Sequence, residues 1–217
     1  MAQGFDRLAG FYDGMMHFML GGVVKDSQRC FLDKLPPQPS IFIIGGGTGW
    51  ILKEIWNIRP KALITYLEIS PKMLAQTQKN IPKDKISQIT LCLGDESQIP
   101  FSKSFDAVCS FFFIDLFPSP KAETITQRFL NCLKPYGILL YADFEAEGKN
   151  RKWRKHLIRL MYLVCGLFCK LENKFYWNYT SVLTKNHFCL KDSKVFFYGL
   201  VRASLYVIER RVMNYER

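Results

Sequence analysis

The chain has 217 residues, 48% of them hydrophobic and 15% aromatic, which excludes a disordered segment and suits one mid-sized domain with a real core. Its formal charge of +11 is not spread evenly: residues 1–148 hold 15 Lys/Arg against 15 Asp/Glu, and residues 149–217 hold 15 against 4. Seven cysteines, at 30, 92, 109, 132, 165, 169 and 189, form neither a CxxC pair nor a Cys/His cluster, so no disulfide framework and no metal site is expected.

In chain order, MAQGFDRLAG has no charged stretch followed by an apolar one, and a cytoplasmic protein is the expectation. Residues 5–20 carry a helical apolar spacing (Phe5, Leu8, Phe11, Tyr12, Met15, Phe18, Met19) stopped by Gly21-Gly22. A second helix is predicted from Val23 to Leu35, before Pro36-Pro37. Ile41-Phe42-Ile43-Ile44 reads as a buried parallel strand, followed by a glycine cluster and a helix from Trp50 to Ile58. A strand from Ala62 to Leu67 ends on Glu68, and Pro71 opens a helix over Lys72–Lys79. Strands over Ile89–Leu93 and Phe105–Phe113, a helix over Ala122–Leu133, a turn at Tyr136-Gly137 and a strand over Ile138–Ala142 continue the alternation. A long helix over Asn150–Leu171 follows. Two β-rich stretches, Cys189–Phe197 and Val201–Ile208, join through Tyr198-Gly199 as a hairpin-like pair at one sheet edge. The alternation predicts an α/β fold with a mainly parallel sheet.

The chemistry concentrates at Gly45-Gly46-Gly47-Thr48-Gly49, between the first strand and the helix after it. Glycines let backbone turn sharply and approach a ligand closely, and the helix N–H groups beyond favour an anionic group. The dinucleotide fingerprint G-x-G-x-x-G fails here, because Trp50 stands at the third glycine's place. A nicotinamide dehydrogenase is therefore disfavoured. Glu68, 19 residues after Gly49 at a strand tip, is placed to accept from both hydroxyls of a ribose.

Four stretches, IIGGGTGWILKEI (43–55), YLEISPKML (66–74), GDESQIPFSKSFDAV (94–108) and LKPYGILLYADF (133–144), occur in one order and spacing. In these the chain resembles the class I S-adenosylmethionine (SAM)-dependent methyltransferases, especially the ubiquinone/menaquinone C-methyltransferase-like group, over roughly residues 5–145. The resemblance implies a Rossmann-like seven-stranded sheet, mostly parallel with the last strand antiparallel, and SAM as cofactor. It divides the chain into lid helices (1–35), a SAM-binding core (36–148) and a basic substrate-side segment with closing strands (149–217). It implies that the loop Gly45, Gly46, Gly47, Thr48 and Gly49 flanks the methionine and ribose, and that Glu68 holds the ribose. Ile69 and Met73 would wall the adenine, Asp95 beside Glu96 would accept from its amino group, and Phe111 and Phe112 would floor the sulfonium. Tyr12 matches the aromatic lid residue. The family commonly has an acid two positions before the first glycine, where this chain has Ile43, and weaker SAM binding is the expected consequence.

Methyl transfer from a sulfonium needs alignment and exclusion of water more than a base, and orientation is worth roughly 7–11 kcal/mol. Where the acceptor carries a proton, Asp115, just past the fourth strand, and Tyr12 are the candidate bases, ahead of His17, His156 and His187. The covering segments 5–20 and 149–188 are rich in Phe, Met, Leu, Tyr and Trp, which points to a small hydrophobic, quinone-like or lipid-like acceptor. The apolar run Leu157–Phe168 is too short to span a bilayer. Preceded by Arg151-Lys152-Trp153-Arg154-Lys155-His156, it reads either as a helix with one solvated basic face or as a contact of residues 151–171 with an anionic membrane. The alternatives are a nucleic-acid (RNA) methyltransferase, for which no Asn/Asp-Pro-Pro-aromatic sequence is present, and a SAM-binding protein without catalysis.

Overall fold

The computed structural model describes residues 20–148, 151–168 and 179–208, together with Gly4, Asp6, Glu172 and Asn173. The expected helix over 5–20, with Tyr12 and His17, lies outside the described residues apart from Asp6 and Leu20.

Seven strands form one sheet in the order β3-β2-β1-β4-β5-β7-β6. β1 (Ser40–Ile44) is central, flanked in parallel by β2 (Leu63–Glu68) and β4 (Phe105–Phe111). β3 (Ile89–Leu93) extends one side and β5 (Leu133–Phe144) the other, both in parallel. β7 (Val201–Ile208) runs antiparallel to β5, and β6 (Phe188–Phe196) closes the edge as its hairpin partner. This is the expected Rossmann-like sheet. The chain moves outward from β1 to β3 and then returns to β4, so strand order reverses between β1 and β4. That crevice at the carboxyl ends is where open α/β sheets bind ligands.

Ile41, Phe42, Ile43 and Ile44 are all buried because both faces of β1 are covered. Phe42 and Ile44 face α4 (Ser119–Cys132), packing with its Ile125 and Phe129. Ile41 and Ile43 face α2 (Ile51–Ile58), which buries Ile51, Leu52, Ile55 and Trp56 on one stripe. α1 (Val23–Arg29) lies beside α2. α3 (Pro71–Asn80) starts as its sequence requires: the Ser70 hydroxyl accepts from the Met73 N–H at 3.2 Å, and Pro71 occupies the first turn. At the carboxyl end, α5 (Arg151–Phe168) packs Ile158, Met161 and Tyr162 against Phe144, Leu200 and Val201.

Several boundaries move for local reasons. The helix expected to reach Leu35 stops at Arg29, and Leu32–Lys34 form only a single 3-10 turn. β4 stops at Phe111 because Phe112 takes φ +51°, outside strand geometry. The turn expected at Tyr136-Gly137 lies inside a longer β5. Pairing steps from Phe105–Leu133 to Ala107–Ile138, and the residues between bulge outward around Tyr136 at φ +64°. A short helix not expected from the sequence, α6 (Tyr179–Lys185), precedes β6 and buries Tyr179, Val182 and Leu183.

Candidate functional site

The glycine loop leaves β1 and enters α2. Gly45, Gly47 and Gly49 take φ of +62°, +65° and +79°, a left-handed backbone that favours glycine. Close neighbours restrict the loop further. A Cβ on Gly45 would lie 2.7 Å from the Phe113 ring, one on Gly46 2.4 Å from the Tyr66 ring, and one on Gly49 2.6 Å from Thr77. On Gly47 it would meet nothing within 4 Å. The loop is thus packed at three glycines and open at the fourth.

Gly47 is held from three sides. Its carbonyl accepts from the Tyr66 hydroxyl at 3.0 Å and the Thr77 hydroxyl at 2.9 Å, and its N–H donates to Glu68 Oε2 at 3.0 Å. Thr48 is buried, with its carbonyl accepting from Asn80. Trp50 turns away toward α1, donating to Gln28 Oε1 at 2.8 Å.

Glu68 ends β2 and is 4% exposed. Its Oε1 accepts from the Ser70 N–H at 2.9 Å. Burial pushes its carboxyl pKa up, while N–H donors from Ser70, Gly47 and Ile69 pull it partly back. Asp6 reaches the same corner, accepting from the Ser70 hydroxyl at 2.6 Å and the Lys72 N–H at 3.2 Å. At the end of neighbouring β3, Asp95 Oδ1 accepts from Ser97 N–H and Oγ at 2.9 and 2.6 Å, which holds its carboxyl below the usual range. The Gly94 N–H donates to the Glu68 carbonyl at 3.0 Å, fixing the two strand ends together. Ile69 is half-buried and Met73 buried. Glu96, predicted beside Asp95, pairs with Lys121 Nζ of α4 at 2.6 Å.

Of the predicted floor, Phe111 is buried in the core, and Phe112 packs on Phe144 with ring centroids 5.0 Å apart. Phe113, which the sequence reading passed over, is the ring against Gly45; it also meets Phe117 edge-on at 5.0 Å.

Asp115 is turned inward. It lies 2% exposed in the single turn Ile114–Leu116, and its Oδ2 accepts from the Tyr162 hydroxyl of α5 at 3.3 Å. Its N–H donates to Asp143 Oδ2 at 3.3 Å, and that oxygen also accepts from the Tyr141 hydroxyl at 2.8 Å. Tyr162 and Tyr179 hydroxyls stand 3.2 Å apart, and Asn173 Nδ2 donates to the Asp115 carbonyl at 2.8 Å. Asp115 Oδ1 has no hydrogen-bond partner among the described residues. The arrangement is a buried hydrogen-bonded cluster, with Asp115 turned away from the mouth where the sequence puts a candidate base. Burial pushes Asp115 up to about 7, and burial with the Asp115 charge pushes Asp143 well above the carboxylate range. Beside this cluster, a cavity of about 290 Å³ opens between β5 and β7, lined by Tyr141, Asp143, Glu145, Tyr179, Arg202 and Tyr206. His156 and His187 are exposed.

The cluster has a stability consequence. A carboxyl raised by the fold favours its protonated form there, so ionisation subtracts stability between its unfolded pKa, about 3.9, and its folded one. The wild-type urea midpoint should fall as pH rises from about 4 to about 8, and Asp115→Asn should flatten that fall. Parallel pH profiles for the two proteins would show that Asp115 stays ionised in the fold.

The methyltransferase-domain family model matches residues 41–137, the stretch from β1 through the bulge of β5. The malonyl-[acyl-carrier protein] O-methyltransferase of Halalkalibacterium halodurans is 28% identical over 147 residues, 64% of this chain and 53% of that protein. The ubiquinone/menaquinone biosynthesis C-methyltransferase UbiE of Paracoccus denitrificans is 29% identical over 145 residues, 64% of this chain and 57% of that one. Over this stretch the chain is similar to SAM-dependent methyltransferases. It spans about half the length of the curated relatives it matches. In fold it is similar to a putative methyltransferase of Haloferax volcanii solved with the Trm112 methyltransferase activator, at TM-score 0.74 and 14% identity, covering 97% of this chain and 100% of the other.

Ile43 stands two positions before the first glycine, where the family that the sequence resembles commonly has an acid. Ile43 is fully buried and pairs across the sheet with Tyr66, whose hydroxyl braces Gly47 together with Thr77. The two hydroxyls hold the Gly47 carbonyl, while the Glu68 carboxylate holds its N–H. Neither hydroxyl was singled out by the sequence reading, since both reach the loop from 19 and 30 positions away.

Proposed function

We propose that this chain transfers the methyl group of SAM to a small hydrophobic acceptor, quinone-like or lipid-like, with residues 36–148 as the cofactor-binding core. The observation that carries the reading is the glycine loop locked to the buried Glu68 carboxylate with Gly47 left open. SAM supplies an electrophilic methyl on a sulfonium. Gly45, Gly46, Gly47, Thr48 and Gly49 admit its methionine and ribose portions to the backbone. Glu68 accepts from the ribose hydroxyls, Asp95 from the adenine amino group, and Ile69 and Met73 wall the adenine. Phe111 and Phe112, joined by Phe113, close the floor. The donor set suits the cofactor, because both carboxylates sit at adjacent strand ends on the carboxyl side of the sheet.

Orientation and dryness do most of the work in such a transfer. Tyr12 serves as the lid, and Asp115 holds a proton behind the floor and positions Tyr162. The tyrosine-lined cavity beside β5 suits an acceptor ring that carries oxygens. A cytoplasmic location with peripheral membrane contact through residues 151–171 fits such an acceptor. No helix among the described residues is long and apolar enough to cross a membrane.

The test is calorimetry with SAM and S-adenosylhomocysteine, followed by transfer of labelled methyl to quinols, lipid extracts and RNA. Micromolar cofactor binding (roughly −8 kcal/mol) with label entering the apolar fraction is expected. Label entering RNA alone would overturn the acceptor class, and absence of cofactor binding would overturn the whole reading.

A further inference from the structure

α5 has two unlike faces. Arg154, Ile158, Met161 and Tyr162, at i, i+4, i+7 and i+8, are buried. The opposite side carries two adjoining stripes. Lys152, Lys155 and Arg159 are exposed at i, i+3 and i+7. Beside them Trp153, Leu160 and Leu163 are 37%, 53% and 61% exposed. The helix RKWRKHLIRLMYLVCGLF contains no acidic residue. A face needing only solvation has no use for two leucines and a tryptophan in water.

The turn between β6 and β7 carries a further exposed aromatic. Phe197 and Tyr198, in the turn between β6 and β7, both take positive φ, +48° and +54°, which is costly for bulky side chains. Tyr198 is 88% exposed. Arg154 Nη1 donates to the Gly199 carbonyl at 2.6 Å, fastening the turn to α5. Trp153 and Tyr198 are the chain neighbours of this bonded pair, so two amphipathic aromatics flank one hydrogen bond.

We propose that the outer face of α5 docks on an anionic lipid bilayer, the helix lying along the interface. Lys152 and Arg159 would meet anionic headgroups, Trp153 would sit at headgroup level, and Leu160 and Leu163 would enter the acyl boundary. RNA would use the basic stripe but gain nothing from the leucines. Placement supports the geometry. α5 follows the carboxyl end of β5, and Val201 after the turn pairs with Phe144 at that same end. The docking face therefore shares its end of the sheet with the glycine loop, and an apolar acceptor would pass from bilayer to site without crossing water. This last step alone rests on the proposed acceptor class; the docking does not.

The experiment is flotation of the full chain with phosphatidylcholine vesicles, with or without about one-third phosphatidylglycerol. Cofactor binding is followed in parallel by calorimetry. The wild type should bind anionic vesicles about tenfold better than neutral ones and release in about 0.5 M salt. Leu160→Ser with Leu163→Ser, and separately Lys152→Glu with Arg159→Glu, should each weaken binding about tenfold. Both pairs should leave the thermal midpoint and SAM affinity unchanged, because these side chains are exposed. Wild-type protein that binds SAM but no vesicle would overturn the docking and leave the cofactor reading standing. Vesicle binding without SAM binding would do the reverse. Leucine variants that bind like wild type, or RNA that displaces the vesicles, would replace the bilayer by a generic polyanion.

Discussion

Glu68→Ala should weaken SAM binding about a hundredfold, the largest loss from any single side chain in the site. A hydrogen bond to a charged group contributes about 1.5–3 kcal/mol, and a factor of ten in affinity is about 1.4 kcal/mol. In the proposed role Glu68 receives the ribose hydroxyls while Oε2 anchors the Gly47 N–H, so its removal costs both a ligand contact and the loop's position. Glu68→Gln keeps one oxygen and should fall between wild type and alanine. Acidification should act like the mutation. Burial raises the Glu68 pKa, so the carboxylate is lost, and affinity with it, at a pH above the ordinary glutamate value of about 4.3. Calorimetry of wild type and both variants checks the series. Affinity in the alanine variant within about twofold of wild type (under roughly 0.5 kcal/mol) would remove Glu68 from the site. Thermal melts of the variants separate lost binding from misfolding, because removing the carboxylate also leaves the Gly47 and Ser70 N–H groups without their acceptor.

Much of this site is local in sequence and could be read there. The apolar run Ile41–Ile44, the glycines after it and the Glu68 strand tip are contiguous patterns, and the sheet delivers each to the same crevice. Ser70-Pro71 announces a capped helix start in two residues. What escaped depends on contacts between distant elements. Tyr66 and Thr77 look like ordinary strand and helix residues until the fold brings both hydroxyls to one carbonyl. Phe113 has the pattern of a last strand residue, yet the positive φ of Phe112 ends that strand early and the Phe113 ring lies against Gly45. Asp115 looked like an open loop residue, since nothing nearby in sequence announces that Tyr162, 47 positions on, will cover it. Local periodicity reports which face is apolar, and it is silent on which polar groups meet across the fold.

The same long-range brace sets the last expectation. Gly46→Ala should lower SAM affinity about as severely as Glu68→Ala, although Gly46 contributes no side chain and its φ is not positive. The added methyl would stand 2.4 Å from two ring carbons of Tyr66 and from its hydroxyl oxygen. The ring has little room to yield, being fully buried among Ile43, Ile51 and Ile64, with its hydroxyl committed to Gly47. Overpacking of this kind costs about 1–3 kcal/mol, and here the displaced partner is the loop itself. Gly47→Ala should be milder: it has open space and suffers only its left-handed backbone, about 1 kcal/mol. Tyr66→Phe removes one of two hydroxyls on the Gly47 carbonyl and should cost a few-fold, about 0.5–1.5 kcal/mol. The decisive comparison is the double variant. Tyr66→Leu clears the space that the Gly46 methyl needs, so Gly46→Ala should be far less harmful in that background, a coupling of about 1 kcal/mol or more by a double-mutant cycle. Strict additivity of the two substitutions would mean that the ring does not hold the loop, and that Gly46 is a glycine for some other reason.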